Sequence, residues 1–104
     1  MKHSDLIDAL LKCAIACEHC SASCLNEEHF LMMRDCIRLD RGCADVCKLT
    51  ASLLARDSQH GIHLLKECAE VCKKCAEECG THNSSHCLEC ATACRTCADL
   101  CLAA

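Results

Sequence analysis

The stretch Cys68–Cys79 reads CAEVCKKCAEEC, with cysteines at successive gaps of four, three and four. An α-helix turns about 100° per residue, so steps of four and three rotate by roughly +40° and −60° and keep all four thiols on one narrow face. The same template fits Cys13, Cys17, Cys20 and Cys24. It fits Cys90, Cys94, Cys97 and Cys101, with Cys87 extending that copy upstream. A fourth copy runs Cys36, Asp40, Cys43, Cys47, with a carboxylate in place of one thiol. These four stripes account for all 16 cysteines.

A stripe of this kind is the inward seam of a bundle helix, with sulfur where Leu usually sits. Four such stripes predict an all-α protein, an antiparallel four-helix bundle with a cysteine-lined core. Composition agrees. The 104 residues contain no Pro, Trp or Tyr, three Gly and one Phe, and fit one domain, 1–104. Helices are expected at about 4–25, 27–56, 58–80 and 84–103. Ser4, Asn26, Ser58 and Ser84 are the expected N-caps, and Gly80 the expected stop of the third helix. Gly42 falls inside the second helix, where close helix approach is one explanation and a tolerated accident another. Many of the alanines are read as exposed, with no clear interface.

Net charge is −4 with the basic residues dispersed, so no nucleic-acid footprint is present. Apolar runs fall far short of the ~20 residues a membrane span needs. The opening MKHSDLIDALLK has neither a signal-peptide core nor a small-residue cleavage site, so a cytoplasmic location with reduced thiols is expected. Thiols on one helix face have Cβ atoms ~5–6 Å apart, too far for an unstrained bridge at ~3.8 Å. Bridges between helices stay open at this stage.

Connection lengths distinguish the two ends. Cys24 to Cys36 is 12 residues and Cys79 to Cys90 is 11, whereas Cys47 to Cys68 is 21. The long connection adds helical turns carrying Leu49, Leu53, Leu54, Ile62, Leu64 and Leu65, and the first helix adds Leu6, Ile7, Leu10 and Leu11. This end reads as an aliphatic plug. The other end carries His29, Met32, Met33, His82 and His86, and reads as a mouth for metal entry. Met32 and Met33 are equally well read as core filler. A metal role is favoured for His86, beside Cys87, and a solvated one for His29 and His82. His3, His60 and His63 lie at the plugged end and are assigned no site.

Cysteine as a mere core hydrophobe does not explain the pattern, because Cys buries less apolar area than Leu. Thiolate is a soft ligand suited to Cu(I), Zn(II) or iron–sulfur clusters. A continuous column without partition into fours suits Cu(I) best, since two or three thiolates suffice and sulfur bridges neighbouring ions. Zinc or iron–sulfur structural modules stay open, as does a thiol redox protein. The C-x-x-C pairs Cys72–Cys75 and Cys94–Cys97 lie inside helices rather than at a helix start, where the dipole would lower a thiol pKa. An enzyme is therefore not expected. Asp40 is a poor soft-metal ligand. It is read as accepting a thiol hydrogen bond or binding an incidental ion, or as pairing with Arg38 or Arg41 nearer the surface.

The four stripes, with CIRLDRGCADVC and HCLECATACRTCADLC, resemble the bacterial copper storage proteins, in particular their cytosolic branch. The resemblance covers nearly the whole chain. It implies multiple Cu(I) ions per chain, bound by the stripe cysteines, with His86 matching the family's mouth histidine. It also implies assembly as a homotetramer. A copper chaperone of unknown identity is a candidate partner. Asp40 leaves the second helix three thiols and so implies a lower capacity than in richer members.

Overall fold

The computed structural model describes all residues, 1–104. It holds α1 (Ser4–Leu25), a 3₁₀ turn (Phe30–Met33), α2 (Arg34–Ala55), α3 (Gln59–Cys79) and α4 (Ser85–Ala103). No strand is present, and the helices form the expected antiparallel bundle, 43 × 19 × 18 Å along its principal axes. α1 packs on α2 and α4, and α3 packs on the same two. The backbones on the diagonals stay apart, and side chains at the axis meet there: Cys13 reaches Cys72 across one diagonal at 4.0 Å, and Cys43 reaches Cys94 across the other at 4.0 Å, as Cys90 reaches Asp40 at 3.3 Å.

Small residues permit that narrowness. The residue after a stripe cysteine is repeatedly buried and small: Ala14, Ser21, Ala44, Ala69, Ala76, Ala91 and Ala98. Six of these seven are alanines, so the exposure that the sequence suggests for many alanines does not extend to them. They occupy the position flanking the seam and line the contacts between neighbouring helices. A larger side chain there would spread the helices and pull the sulfurs apart.

At the plugged end the heptad continues with different residues. Leu6 and Leu10 precede Cys13 on the seam, Thr50 and Leu54 follow Cys47, and Gly61 and Leu65 precede Cys68. All six are buried, with Ile7 and Ala51 beside them. Burying each large aliphatic side chain contributes roughly 1.5–3 kcal/mol. The plug is thinner than its leucine count suggests. Leu11, Leu49 and Ile62 are off the seam and exposed, and Leu53 and Leu64 are half-buried.

The helix ends depart from the expected caps in three places. His3, at φ 61°, occupies the cap of α1, and Ser4 is already helical. Asn26 ends α1 instead of starting α2, its N–H bonding to Ser23 O. Helix α2 begins at Arg34, not near 27, because the chain first crosses the bundle end through a turn and a 3₁₀ segment that drives Met33 inward. Ser58 caps α3 as expected, accepting from His60 N at 3.2 Å, and Gly80 ends it. The link between α2 and α3 is only Arg56–Ser58, with Asp57 left-handed at φ 56°.

The glycines have opposite meanings. A Cβ on Gly42 would meet nothing within 4 Å, so close helix approach does not explain it. A Cβ on Gly61 would lie 2.9 Å from Leu54 N and 3.0 Å from Leu54 Cδ2, so the approach of α3 to α2 at the plug requires glycine there. We expect Gly61→Ala to destabilise the reduced apo protein by about 1–3 kcal/mol. Gly42→Ala should stabilise it by about 0.5–1 kcal/mol through helix propensity. Urea unfolding under reducing conditions measures both.

Candidate metal centre

Each stripe delivers its thiols to the bundle axis, and all 16 cysteines are buried and unbridged. Sulfur–sulfur contacts run the length of the column. Near the plug, Cys47 lies 3.7 Å from Cys68 and 3.5 Å from Cys72, and Cys43 lies 3.5 Å from Cys72. In the middle, Cys94 lies 3.6 Å from both Cys13 and Cys17, and Cys17 lies 3.6 Å from Cys90. Toward the other end, Cys36 and Cys79 approach to 3.3 Å, and Cys20, Cys24 and Cys87 meet at 3.8–3.9 Å.

These spacings fit metal–thiolate geometry without rearrangement. With metal–sulfur bonds of ~2.3 Å, a trigonal ion needs sulfurs ~4 Å apart and a tetrahedral one ~3.8 Å. Sets of four donor atoms mutually within 4.8 Å include Cys13–Cys47–Cys72–Cys97, Cys13–Cys17–Cys43–Cys94 and Cys17–Cys75–Cys90–Cys94. The sets share members: Cys13, Cys17 and Cys94 each belong to two. A shared sulfur must bridge if both sets are filled. Closed structural sites use separate ligands for each ion, whereas this column is built for adjacent ions linked through common thiolates.

The column holds neutral thiols when metal-free, because sixteen buried negative charges would be prohibitive. Burial pushes the Cys24 thiol up, and pushes Cys87 up to about 11. Metal binding must therefore displace protons.

Asp40 sits fully buried among the sulfurs. Its Oδ1 accepts from Cys75 at 3.3 Å, Cys79 at 3.4 Å and Cys90 at 3.3 Å, and its Oδ2 accepts from Cys36 at 3.8 Å. The thiol hydrogen bond anticipated for it is present. The surface pairing is not, since Arg41 instead meets Glu18 at 3.7 Å. Burial pushes the Asp40 carboxyl up to about 10, so it is a neutral acid at pH 7.

At the end opposite the plug, His86 is the imidazole that joins the sulfurs. Its Nδ1 lies 3.5 Å from Cys87, 3.7 Å from Cys20 and 3.8 Å from Cys24. Cys20, Cys24, Cys87 and His86 thus form one nitrogen–sulfur set. On its other side, His86 Nε2 meets Glu27 Oε1 at 2.7 Å. The remaining residues expected at the mouth separate. Met33 is 5% exposed and packs into the core, as core filler would. Met32 is 78% exposed and, like His29, faces away from the sulfurs, because the 3₁₀ turn breaks the helical register that would have carried the seam upstream. His82 pairs with Glu78 at 2.8 Å, one helical turn away, and reaches no thiol. Glu27 was not anticipated. It lies in a turn, outside every stripe, and no spacing links it to His86, 59 residues later.

The copper storage protein family model matches residues 1–104. The chain belongs to the copper storage protein family. Among family relatives, the Cu(I)-bound copper storage protein BsCsp3 is 40% identical, with a TM-score of 0.95 over 99% of this chain and 97% of that one. The Streptomyces lividans copper storage protein Ccsp, loaded with 10 copper equivalents, is 39% identical, with a TM-score of 0.91 over 95% of this chain and 80% of that one. The cysteine-rich protein YhjQ of Bacillus subtilis strain 168 is 43% identical over 81 residues, 78% of this chain and 75% of YhjQ.

A buried neutral Asp40 has a consequence for stability. Its folded pKa lies above the ordinary 3.8, so the folded state holds a proton that the unfolded state releases. The stability this proton contributes is fully present below about pH 4 and is lost progressively up to about pH 10. Asp40→Asn removes this dependence. Between pH 5 and 8 the variant should gain on the wild type by up to about 1.4 kcal/mol per pH unit. Denaturant unfolding of both reduced apo proteins across that range is the check, and parallel curves would contradict the neutral-acid assignment.

Proposed function

We propose that this chain stores and buffers Cu(I) in the cytosol, holding multiple ions on thiolates along the bundle axis. The observation that carries the reading is the overlap of the thiol sets: sharing of Cys13, Cys17 and Cys94 between quartets suits bridged Cu(I) and wastes ligands for any metal that needs its own four. The ligands are the sixteen stripe cysteines, with His86 at the end where ions enter. Each Cu(I) replaces thiol protons, so a filled column with bridging sulfurs stays close to neutral. Membership of the family and the Cu(I)-bound and copper-loaded relatives support this assignment. The cytosolic location follows the Streptomyces lividans relative, a cytosolic copper storage protein.

The role is storage without catalysis. A redox enzyme needs an accessible, acidified thiol. Cys72–Cys75 and Cys94–Cys97 are instead wholly buried, well inside α3 and α4. Assembly into a homotetramer belongs to the same proposal and rests on kinship, with a copper chaperone as a candidate partner.

Anaerobic titration of the fully reduced protein with Cu(I), against a strong Cu(I) chelator and with thiols counted independently, tests the reading. Saturation at about ten or more ions per chain is expected from bridged thiolates. Saturation at one or two would assign the column to packing.

A further inference from the structure

We propose that Glu27 is a positioning residue for metal entry: its carboxylate holds His86 in the Nε2–H tautomer, oriented so that Nδ1 faces Cys20, Cys24 and Cys87. The inference rests on the copper-store reading and deepens it at one residue.

The geometry is that of a carboxylate–histidine–metal relay with the cargo position bounded by sulfur. Glu27 Oε1 meets His86 Nε2 at 2.7 Å, and the opposite ring nitrogen lies 3.5–3.8 Å from three sulfurs. An ionised carboxylate only accepts, so the proton in that contact belongs to Nε2. In the neutral ring this leaves the Nδ1 lone pair directed at the thiols, ready for a soft ion. His82 shows what a histidine–glutamate pair looks like without this role. It meets Glu78 at 2.8 Å within one helical turn and touches no sulfur.

Glu27 is itself held in place. The same Oε1 accepts from Ser84 Oγ at 2.6 Å. Ser84 occupies the N-cap of α4, where a serine hydroxyl ordinarily accepts from its own helix. Here it makes no capping bond and donates to Glu27 instead. The turn after α1 is thus tied to the start of α4 across the bundle end, and the tie terminates on the ring that joins the thiols. Both partners are mostly covered, His86 with 14% and Glu27 with 29% of its side chain exposed, so the pair is partly shielded from water while remaining reachable by an incoming ion.

Two measurements test this on the full-length reduced protein. In the first, long-range ¹H–¹⁵N spectra of the apo protein with labelled histidines report the His86 ring. We expect a low-field, slowly exchanging Nε2–H proton and a proton-free Nδ1 in the wild type, with the proton signal lost to exchange in Glu27→Ala. Persistence of that signal in Glu27→Ala overturns the proposal. The second is a cycle of Glu27→Ala, His86→Ala and the double variant, reading the uptake rate of the first Cu(I) equivalent from a chelator. Glu27→Ala should slow uptake about tenfold, and the double variant should be no slower than His86→Ala alone. If Glu27→Ala costs the same factor in the His86→Ala background, Glu27 acts independently of the ring and the proposal fails. The spectra need no copper, so the two readings fail separately. High wild-type capacity with the wrong His86 spectra removes only the role of Glu27. A wild-type capacity of one or two ions removes the store, and the copper role of Glu27 with it.

Discussion

Sulfur packed against sulfur along a bundle axis is the constraint on which the structure depends. Thiols must lie close enough for one ion to reach three or four of them, and that distance is set by the separation of the helices. The small residues beside the seam set that separation. Ala14, Ala44, Ala69, Ala76, Ala91 and Ala98 are buried between neighbouring helices, and the sulfurs of opposite helices consequently touch at the centre. The alanines are therefore as much a part of the metal centre's design as the cysteines, although they contribute no ligand atom.

The bundle divides its physical tasks along its length. Leu6, Ile7, Leu10, Leu54 and Leu65 gather at one end and supply conventional apolar burial. The thiol column occupies the rest and contributes less transfer free energy per side chain, since a thiol buries less apolar area than an isobutyl group. The end opposite the plug is neither plug nor column. It is a hydrogen-bonded crossing of Glu27, Ser84 and His86 over three thiols. Asp40 is the exception within the column, an oxygen acid held neutral by burial and surrounded by S–H donors.

Periodic features were legible in the sequence. The thiol spacing gives helices, their common face and the bundle, and the connection lengths distinguish the aliphatic end from the end that carries His86. Contacts that join remote positions were not legible. Glu27 meets His86 and Ser84 only because a 3₁₀ turn follows it, and nothing in NEEHFLMMR signals where a helix yields to a turn. The same turn explains why Met32 and His29 leave the seam while Met33 stays in the core. The Asp40 environment was half legible. Its seam position placed it inward, but its partners come from three helices, and only the assembled bundle brings them together. Misplaced leucines such as Leu11, Leu49 and Ile62 show that membership of an apolar end is decided by register, not by composition.

The continuation of one heptad through both plug and column has an evolutionary consequence. Leu6, Leu10, Leu54 and Leu65 stand at positions that a cysteine could occupy without any change of backbone. Exchanging one for Cys would extend the sulfur column while forfeiting roughly 1–2 kcal/mol of apolar burial in the empty bundle. The column's length is then a compromise between how many ligands the chain can offer and how long it must stay folded while offering them. Lineages facing different metal supply could shift that boundary one residue at a time, with the architecture untouched.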